Sequence, residues 1–424
     1  MELRTAKGVR DTPPQLKLLQ DRVVRTLKTL FERFGFAPLE TPVIERFEVL
    51  ASKYAGGEEI LKECFQLTDQ GGRKLGLRYD LTVPLARFVG MNPSLKMPFK
   101  RYQIGRVYRD GPIKLGRYRE FYQCDCDIVG AGGLLAEAEC LLLADEVFRS
   151  LGIDIRILVN DRRILDGLVQ SCGILPELSS SVILSLDKVD KLGREEVKRE
   201  LVQKGVAVSA ADLLLDLTSP PGDNDQKLGI LRSQLGENEG LANVASLLDL
   251  LGLANVEFSP GLARGLSYYT GTLFEVFATS GPITRSAIAA GGRYDRLIGD
   301  LLGAPANIPA IGISFGLEPI LDILKSRAED LPVTPAKVFV IPIQTVKESL
   351  SVVSRLRKAG VNASIDLNER GISANLKYAN SLGIPFVVIV GEEELKQEKV
   401  QLKDMRSGES WVLSVEDAAK NVLG

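Results

Sequence analysis

The spacing of apolar residues changes along the chain and divides it into helical and sheet-like segments. In residues 14–34 the apolar positions lie three or four residues apart, which predicts a helix that begins after the Asp11-Thr12-Pro13-Pro14 cap and ends at Gly35. In residues 36–130 short apolar runs are broken by Gly, Pro and Asp, and residues 100–107 and 120–129 alternate with a period of two. This second pattern predicts an antiparallel sheet.

The middle of the chain returns to helical spacing. Residues 133–151 are strongly helical, and residues 161–252 continue as Leu-, Lys- and Glu-rich helices with few strand signals. We interpret this stretch as a helical insertion at about residues 170–252. Sheet patterns return at 257–278 and 286–292, and residues 308–323 predict a strand that runs into a helix.

A proline-rich segment at residues 331–337 predicts a domain boundary. Beyond it, buried strands are predicted at 338–343, 361–365 and 386–390, with helices at about 347–358 and 373–382 between them. The predicted domains are therefore residues 1–330 and a small α/β domain of parallel character at residues 331–424.

The amino-acid composition and the net charge exclude several classes of function. The formal net charge of −2 excludes a uniformly basic surface of the kind that binds nucleic acid indiscriminately, so any RNA binding must come from local patches. The sequence contains no apolar stretch approaching the ~18 residues of a membrane span, and its first ten residues carry no apolar signal core. Five cysteines, an odd number, indicate free thiols in a reducing compartment. We expect a cytoplasmic protein without membrane association.

Histidine is absent from all 424 residues. This excludes Ser-His-Asp and Cys-His nucleophile chemistry, imidazole acid–base catalysis and His-based metal sites. We expect carboxylates, arginines, tyrosines and cysteines to do the chemistry, and we predict no protein-bound metal centre.

A polar hairpin carries the first candidate chemistry. One strand ends at Arg109, a basic loop with Lys114 follows, and the alternation of the return strand places Gln123, Asp125 and Asp127 on one face. That face lines either a wet cleft or bulk solvent. Cys124 and Cys126 fall on the other face, where buried packing is favoured because two thiols alone cannot complete a zinc site.

Two glycine-containing segments carry the second candidate chemistry. Arg264 precedes Gly265, and Arg293 follows Gly291-Gly292, so backbone could approach a ligand while a guanidinium reaches a phosphate. The alternative for each is a surface arginine near a turn. The sequence contains no Gly-x-x-x-x-Gly-Lys-Ser/Thr loop, which excludes nucleotide binding by a P-loop.

In this order the segments resemble the signature blocks of histidyl-tRNA synthetases over the full length of the chain. The matching blocks are motif 1 at residues 38–45 with Pro42, the amino-acid pocket loop at 77–82, motif 2 at 109–130, Arg264-Gly-Leu-Ser-Tyr-Tyr, Gly291-Gly-Arg-Tyr-Asp, and motif 3 at 312–318. The resemblance implies an α+β fold: a class II synthetase antiparallel sheet flanked by helices, a helical insertion, and a C-terminal α/β anticodon-binding domain.

The resemblance implies a histidine--tRNA ligase that forms histidyl-adenylate from L-histidine and ATP and transfers the histidyl group to tRNA(His). It also implies Mg²⁺ bound with ATP and a homodimer formed through motif 1 around Pro42. Because the attacking carboxylate is already anionic, the first step needs in-line positioning and cations at the α-phosphate and no general base.

Residue roles follow from the same resemblance. Arg109 and Arg264 are the implied catalytic cations. Asp127 and Tyr269 face the imidazole ring, Tyr294 closes the pocket, Tyr268 also binds histidine, and Asp80, Thr82 and Gln123 take the α-amino group. ATP is met by Arg109, Arg117, Arg264 and Glu318, and the motif 2 loop with Lys114 and Arg117 contacts ATP and the acceptor end of the tRNA.

The sequence departs from the family pattern at two positions. Pro319 stands where many members carry an arginine that meets the γ-phosphate of ATP. Either the affinity or orientation of ATP is weakened, or another cation such as Arg293 compensates. Ser267 stands where the family has an aspartate.

Two alternative functions use the same fold. One is a catalytically impaired paralogue that senses histidine as the regulatory subunit of ATP phosphoribosyltransferase, and the other is a sensor of uncharged tRNA. The retained C-terminal domain argues against the first, and the presence of Arg109 and Arg264 argues against both. The missing histidines also suggest a hypothesis: synthesis of this protein would not stall when charged histidyl-tRNA runs short. The alternative is that chance or genomic composition accounts for their absence.

Overall fold

The computed structural model describes residues 2–51, 61–113, 118–264, 268–284, 286–303, 307–327 and 331–424. The chain forms two compact units, one made of Met1–Arg10 with Val23–Arg327 and the other of Asp11–Arg22 with Ala328–Gly424.

The first unit is built around a large sheet. Its strands are β1 (Ala37–Pro38), β2 (Ile44–Arg46), β3 (Gln66–Thr68), β4 (Lys74–Leu77), β5 (Phe99–Tyr108), β6 (Glu120–Val129), β7 (Ile155–Asp161), β8 (Val256–Phe258), β9 (Thr272–Ala278), β10 (Ala289–Arg293) and β11 (Ala310–Gly316). Eight of them pair in the order β1-β5-β6-β11-β10-β9-β7-β8, and β2, β4 and β3 form a separate small sheet. The central pairs are antiparallel, as the alternation predicts, and only the end pairs β1–β5 and β7–β8 are parallel.

Helices cover the sheet and fill the stretch between β7 and β8. They are α1 (Pro14–Arg33), α2 (Phe47–Leu50), α3 (Thr82–Met91), α4 (Leu135–Ser150), α5 (Arg162–Ser171), α6 (Ser179–Leu186), α7 (Val189–Leu192), α8 (Arg194–Gln203), α9 (Val208–Leu217), α10 (Asn224–Leu235), α11 (Glu239–Leu251), α12 (Leu297–Leu301) and α13 (Leu317–Arg327). Helices α5 to α11 connect β7 to β8, which run parallel and therefore need a crossover of this kind.

One face of the large sheet packs against helices, and this packing determines which side chains lie on the opposite face. Phe315 of β11 lies with its ring centroid 5.6 Å from that of Phe31 in α1 and 5.8 Å from that of Phe148 in α4. Cys124 and Cys126 of β6 are fully buried in the same core, which confirms their predicted packing role. Because side chains alternate along a strand, the intervening polar residues of β6 must point to the opposite face.

The second unit contains a five-stranded sheet in the order β13-β12-β14-β15-β16. Its elements are β12 (Val338–Pro342), α14 (Val346–Lys358), β13 (Ala363–Ile365), α15 (Ile372–Ser381), β14 (Phe386–Val390), α16 (Glu392–Leu395), β15 (Val400–Asp404), β16 (Ser410–Leu413) and α17 (Val415–Leu423). The three predicted strands are parallel, and β15 and β16 add an antiparallel edge that the sequence did not predict. In the described part of the chain, no helix has the length and apolar character needed to cross a membrane.

Candidate active site

A cavity of about 470 Å³ opens on the polar face of the sheet. It brings together every predicted histidine- or ATP-binding residue that the structure describes, namely Asp80, Thr82, Arg109, Gln123, Asp127, Arg264, Tyr268, Tyr269, Tyr294 and Glu318. Lys114, Arg117 and Ser267 lie outside the described residues. Pro42 is exposed and does not line this cavity.

Strands β6 and β11 form the floor of the cavity. Their antiparallel register places Asp125 opposite Ser314 and Asp127 opposite Gly312. Gln123 Nε2 donates to Ser314 Oγ over 3.2 Å. A Cβ atom at Gly312 would lie 2.0 Å from Asp127 Oδ1, so only glycine at this position leaves room for the Asp127 carboxylate.

Asp127 is held by a buried cation and a tyrosine. Arg101 Nη2 of β5 lies 2.7 Å from Asp127 Oδ2, and both side chains are almost fully buried. Tyr294 donates its hydroxyl to Asp127 Oδ1. Burial raises the pKa of Asp127, while Arg101 and the Tyr294 hydrogen bond oppose that rise. The orientation of this carboxylate is therefore fixed before any ligand arrives.

Two further carboxylates lie beside this pair. Asp80 Oδ1 accepts a hydrogen bond from Val83 N over 3.0 Å at the start of α3, and burial raises the pKa of Asp80 to about 6. Asp125 is 3% exposed, and its Oδ1 has no hydrogen-bond partner among the described residues. Burial raises the pKa of Asp125 to about 7, with the neighbouring Asp127 adding to the rise and Arg101 opposing it. These acids form a negatively polarised pocket suited to a cationic ligand.

Three tyrosines form the aromatic wall of the pocket. The ring centroids of Tyr268 and Tyr269 lie 4.8 Å apart, and Tyr268 meets Tyr294 edge-on at 5.9 Å. Edge-on and tilted arrangements of this kind are favourable contacts between aromatic rings. The wall therefore offers a flat ligand both ring faces and hydroxyl partners.

Arg109 is positioned by backbone and by an aromatic ring. Its Nε donates to Tyr79 O over 3.0 Å, and its guanidinium carbon lies 5.2 Å from the centroid of the Phe121 ring. These contacts fix the guanidinium plane at the cavity wall, where the remaining N–H groups can meet an anion.

Arg264 lines the same cavity, next to Glu275 of β9. The Nη1–Oε1 distance is 3.4 Å, and the Arg264 guanidinium carbon lies 5.6 Å from the Tyr269 ring centroid. Burial raises the pKa of Glu275, and Arg264 opposes the rise. Arg264 Nη1 has no hydrogen-bond partner among the described residues, so this loose pair leaves it able to meet a ligand oxygen.

Glu318 and Pro319 form another edge of the cavity at the start of α13. Glu318 accepts the Tyr122 backbone N–H at 3.1 Å and 3.2 Å, and burial raises the pKa of this carboxyl. Pro319 follows it and carries neither a charge nor a side-chain donor.

Arg293, one candidate to compensate for Pro319, does not line the cavity. Its Nε and Nη2 donate to Glu137 at 2.6 Å and 2.8 Å, and its Nη1 donates to Ala131 O at 3.0 Å. The side chain is 8% exposed and is absent from the cavity lining. Arg293 stabilises the turn after β10 because a buried guanidinium with this many partners cannot turn toward a ligand.

Sequence reasoning missed several cavity residues. The alternation of β6 predicts that Asp125 shares a face with Gln123 and Asp127, but it does not assign Asp125 a role. Arg101 pairs in register with Asp127, which becomes visible only once β5 and β6 are aligned. Asp187 and Lys191 come from the helical insertion, where no local pattern distinguishes a cavity residue from a solvated one.

No group of three or more metal-binding side chains occurs among the described residues. The carboxylates that line the cavity, such as Glu318, are of the type that Mg²⁺ takes one or two at a time together with substrate phosphates.

The mostly antiparallel sheet flanked by helices, with arginines and carboxylates around one cavity, agrees with the expected class II aminoacyl-tRNA synthetase fold. A family model described as histidyl-tRNA synthetase matches residues 8–320, and one described as anticodon binding domain matches residues 337–424. The chain belongs to the histidyl-tRNA synthetase family.

Individual relatives agree with this membership. Histidine--tRNA ligase 1 of Bacillus thuringiensis subsp. konkukian is 43% identical over 96% of this chain and 97% of the relative. The crystal structure of histidyl-tRNA synthetase from Nostoc sp. PCC 7120 has a TM-score of 0.86 and 31% identity, and the match covers 100% of this chain and 99% of that one. A Bacillus halodurans structure, titled as an ATP phosphoribosyltransferase regulatory subunit/histidyl-tRNA synthetase, has a TM-score of 0.74 at 20% identity over 90% of this chain and 97% of that one, a likeness of fold alone.

Proposed function

We propose that this chain is a histidine--tRNA ligase. In the first step a carboxylate oxygen of histidine attacks the α-phosphorus of ATP, and the bond to the bridging oxygen breaks to release pyrophosphate. In the second step the 3′-terminal ribose of tRNA(His) takes the histidyl group and releases AMP. The observation that carries the proposal is the convergence of two arginines, a fixed carboxylate and three tyrosines on one cavity.

Arg109 and Arg264 are the proposed catalytic residues of adenylation. Both are held at the cavity wall by neighbouring groups, so little reorganisation is needed when charge develops at the α-phosphate. Their separate anchors also restrain the phosphate from two sides, which favours the in-line geometry that phosphoryl transfer requires.

Asp127 is the proposed partner of the imidazole ring. A carboxylate oxygen has more than one lone pair, so Asp127 can accept a ring N–H while keeping Arg101 and Tyr294. Tyr269 supplies a hydroxyl for the second ring nitrogen, and Tyr268 and Tyr294 pack around the ring. An amino acid without a ring N–H would leave Asp127 underpaired in a buried site, which can reduce its use by a factor of about ten thousand or more.

Asp80, Thr82 and Gln123 are the proposed partners of the α-ammonium group. ATP is proposed to meet Arg109, Arg264, Arg117 and Glu318, and Mg²⁺ bound to its phosphates would offset their charge. Glu318 is the cavity carboxylate proposed to face that ion.

The partners beyond the small molecules are tRNA(His) and a second copy of the chain. We take residues 331–424 as the anticodon-binding domain, which would read single-stranded bases by stacking and hydrogen bonding, and residues 1–330 as the catalytic domain with its insertion at about 170–252. Dimerisation through the segment around Pro42 and a cytoplasmic location belong to the same proposal. The free state of all five cysteines agrees with a reducing compartment.

Histidine-dependent exchange of labelled pyrophosphate into ATP tests the proposal. We expect robust exchange by the purified protein and a loss of about a hundredfold to a thousandfold in Arg264→Gln, because one preorganised cation is removed. Thermal unfolding of the variant separates this loss from misfolding, since Glu275 would lose its partner.

Pro319 favours a second candidate, a histidine-sensing or uncharged-tRNA-sensing paralogue. Histidine binding without any exchange, at saturating ATP and Mg²⁺, would establish that alternative and exclude the ligase.

A further inference from the structure

We propose that Lys191, carried by the helical insertion, binds the β- and γ-phosphates of ATP. This inference rests on the proposed function, because it assigns a residue to the nucleotide of the same reaction. It concerns a side chain outside the sheet and outside the motifs that the sequence singled out.

The position of Lys191 is the first argument. Lys191 lies in α7 and Asp187 just before it, and both line the active-site cavity together with Glu275 and Pro319. A neighbouring cavity of about 960 Å³ shares these four residues. The histidine-pocket residues, such as Asp127 and Tyr294, line only the first cavity. Lys191 therefore lies at the end of the active-site cavity remote from the amino-acid pocket.

The geometry of adenylation gives that end a role. In-line displacement requires the leaving pyrophosphate to lie opposite the attacking carboxylate across the α-phosphorus. The carboxylate comes from the histidine pocket, and Arg109 and Arg264 flank the α-phosphate in the proposed arrangement. The β- and γ-phosphates must then extend toward the end formed by Glu275, Pro319 and Lys191.

Charge is the second argument. The cations among the described lining residues are Arg109, Lys191 and Arg264, against carboxylates at Asp80, Asp125, Asp127, Asp187, Glu275 and Glu318. A polyphosphate entering such a cavity needs every cation within reach, in addition to its own Mg²⁺. Arg109 and Arg264 are already committed to the α-phosphate in this proposal, and Pro319 supplies no donor.

Lys191 is also free to reorient. Its side chain is 62% exposed, and its Nζ lies 3.3 Å from Asp187 Oδ2, an exposed pair of the kind that contributes little. An ammonium group on a flexible stem can leave such a partner for a phosphate at small cost. Because α7 holds its backbone beside the cavity, Lys191 remains close to the cavity while it is paired with Asp187.

The experiment compares ATP with AMP as ligands of Lys191→Ala, because AMP lacks the β- and γ-phosphates. We expect the Kd of ATP with Mg²⁺ to rise about tenfold to a hundredfold in calorimetric titration, the loss typical of a charged hydrogen-bonding partner. The Kd values of AMP and of histidine should stay within about twofold. Lys191→Arg, which keeps the charge, should recover most of the ATP affinity.

Lys198→Ala is the matched control, since Lys198 is a neighbouring insertion lysine that pairs with Asp212 and does not line the cavity. The proposal is overturned if Lys191→Ala leaves the ATP Kd unchanged, weakens AMP to the same extent, or behaves like Lys198→Ala. Pyrophosphate exchange by the wild-type protein is measured alongside. Failure of exchange with intact, Lys191-dependent ATP binding would reject the ligase and keep the phosphate site, whereas intact exchange without Lys191 dependence would do the reverse.

Discussion

Asp125 is a buried carboxyl of the active-site cavity, and its pKa is raised to about 7. It lies on β6 between Gln123 and Asp127, and Arg101 is the buried cation that it shares with Asp127 and Asp80. The carboxyl groups of Asp80, Asp125, Asp127, Glu275 and Glu318 all have a raised pKa, and all five line the cavity. Groups that are displaced from their usual pKa in this way are typical of functional sites.

The stability of the ligand-free protein should therefore depend on pH in a defined direction. The pKa of Asp125 is about 7 in the folded chain against 3.8 for the unperturbed group, so the folded state binds more protons between these values. The contribution of Asp125 to the free energy of unfolding should fall as the pH rises from about 4 to about 7. Asp125→Asn should be more stable than the wild type at pH 8, and the difference should shrink toward acidic pH. Urea denaturation at a series of pH values measures it.

No imidazole contributes to this measurement, because the sequence contains no histidine. Asp249→Asn, at an exposed position of α11, provides the control for removing an aspartate as such. Parallel pH curves for the wild type and Asp125→Asn would contradict the assigned ionisation.

At this scale the sequence predicted which side chains share a face, but not how they are paired. A period of two sufficed to group Gln123, Asp125 and Asp127, because β6 is regular over its whole length. The Arg101–Asp127 pair depends on the alignment of two strands, and the trapping of Arg293 by Glu137 depends on a contact across 156 residues. Contacts between residues so far apart in the sequence cannot be predicted from a local pattern.

Among the elements, β7 positions the segment that carries Arg264. Asn160 of β7 is fully buried, and its Nδ2 donates to Pro260 O and Leu262 O, each over 2.9 Å. These bonds fix the backbone just before Arg264, in a segment without regular secondary structure. The strand thus helps to position Arg264, the proposed catalytic cation, although Asn160 itself does not line the cavity.

Asn160→Ala should lower the rate of pyrophosphate exchange more than it lowers substrate affinity. Both carbonyl groups lose their donor, and a shift of about 1 Å in a reacting group can cost on the order of a hundredfold in rate. Stability should fall by about 1–3 kcal/mol. Steady-state kinetics at saturating and limiting ATP separates kcat from KM.

Asn255→Ala is the matched control for this element. Asn255 also makes one side-chain hydrogen bond of 2.9 Å, to Asp145, before β8 and away from Arg264. It should lose stability while kcat stays near the wild-type value. An equal fall of kcat in both variants would show that general destabilisation, and not the position of Arg264, sets the rate.

Regular elements were predictable from the sequence where they are long and periodic. Helix α1 and strand β6 have nearly the predicted bounds, because helical spacing and strict alternation persist over many residues. Strands β15 and β16 were missed because they are only five and four residues long and because Trp411 and Val412 of β16 remain exposed. The contribution of α7 to the cavity was also not predictable, since a four-residue helix has no periodicity to analyse.

For the whole molecule, the segment around Pro42 remains the predicted contact between two copies. Val43 is 38% exposed and Ile44 is 50% exposed, and both follow Pro42 at the start of the small β2-β4-β3 sheet. An isologous interface buries the same apolar patch on both copies.

Ile44→Glu should convert a dimer into a monomer at micromolar concentration, because it places a charge in each half of the contact. Sedimentation velocity measures the change, and pyrophosphate exchange at the same concentration reports whether the monomer is active. Leu250→Glu, at a position that is also 50% exposed, should leave the oligomeric state unchanged. A wild-type monomer at this concentration would contradict the predicted dimer outright.

The absence of histidine is a property of the whole chain, and its proposed consequence concerns the synthesis of the whole protein. A protein with no histidine codon can be translated at full rate while histidyl-tRNA is scarce, and the proposed product of this protein is histidyl-tRNA. We expect its yield during histidine limitation to exceed that of a variant in which exposed Lys28, Lys96 and Lys377 are changed to histidine. The same three positions changed to glutamine control for effects of the substitutions on folding and turnover. Equal yields of the histidine and glutamine variants under limitation would mean that the composition confers no such advantage, whereas a selective loss in the histidine variant would link the composition of this chain to its own chemistry.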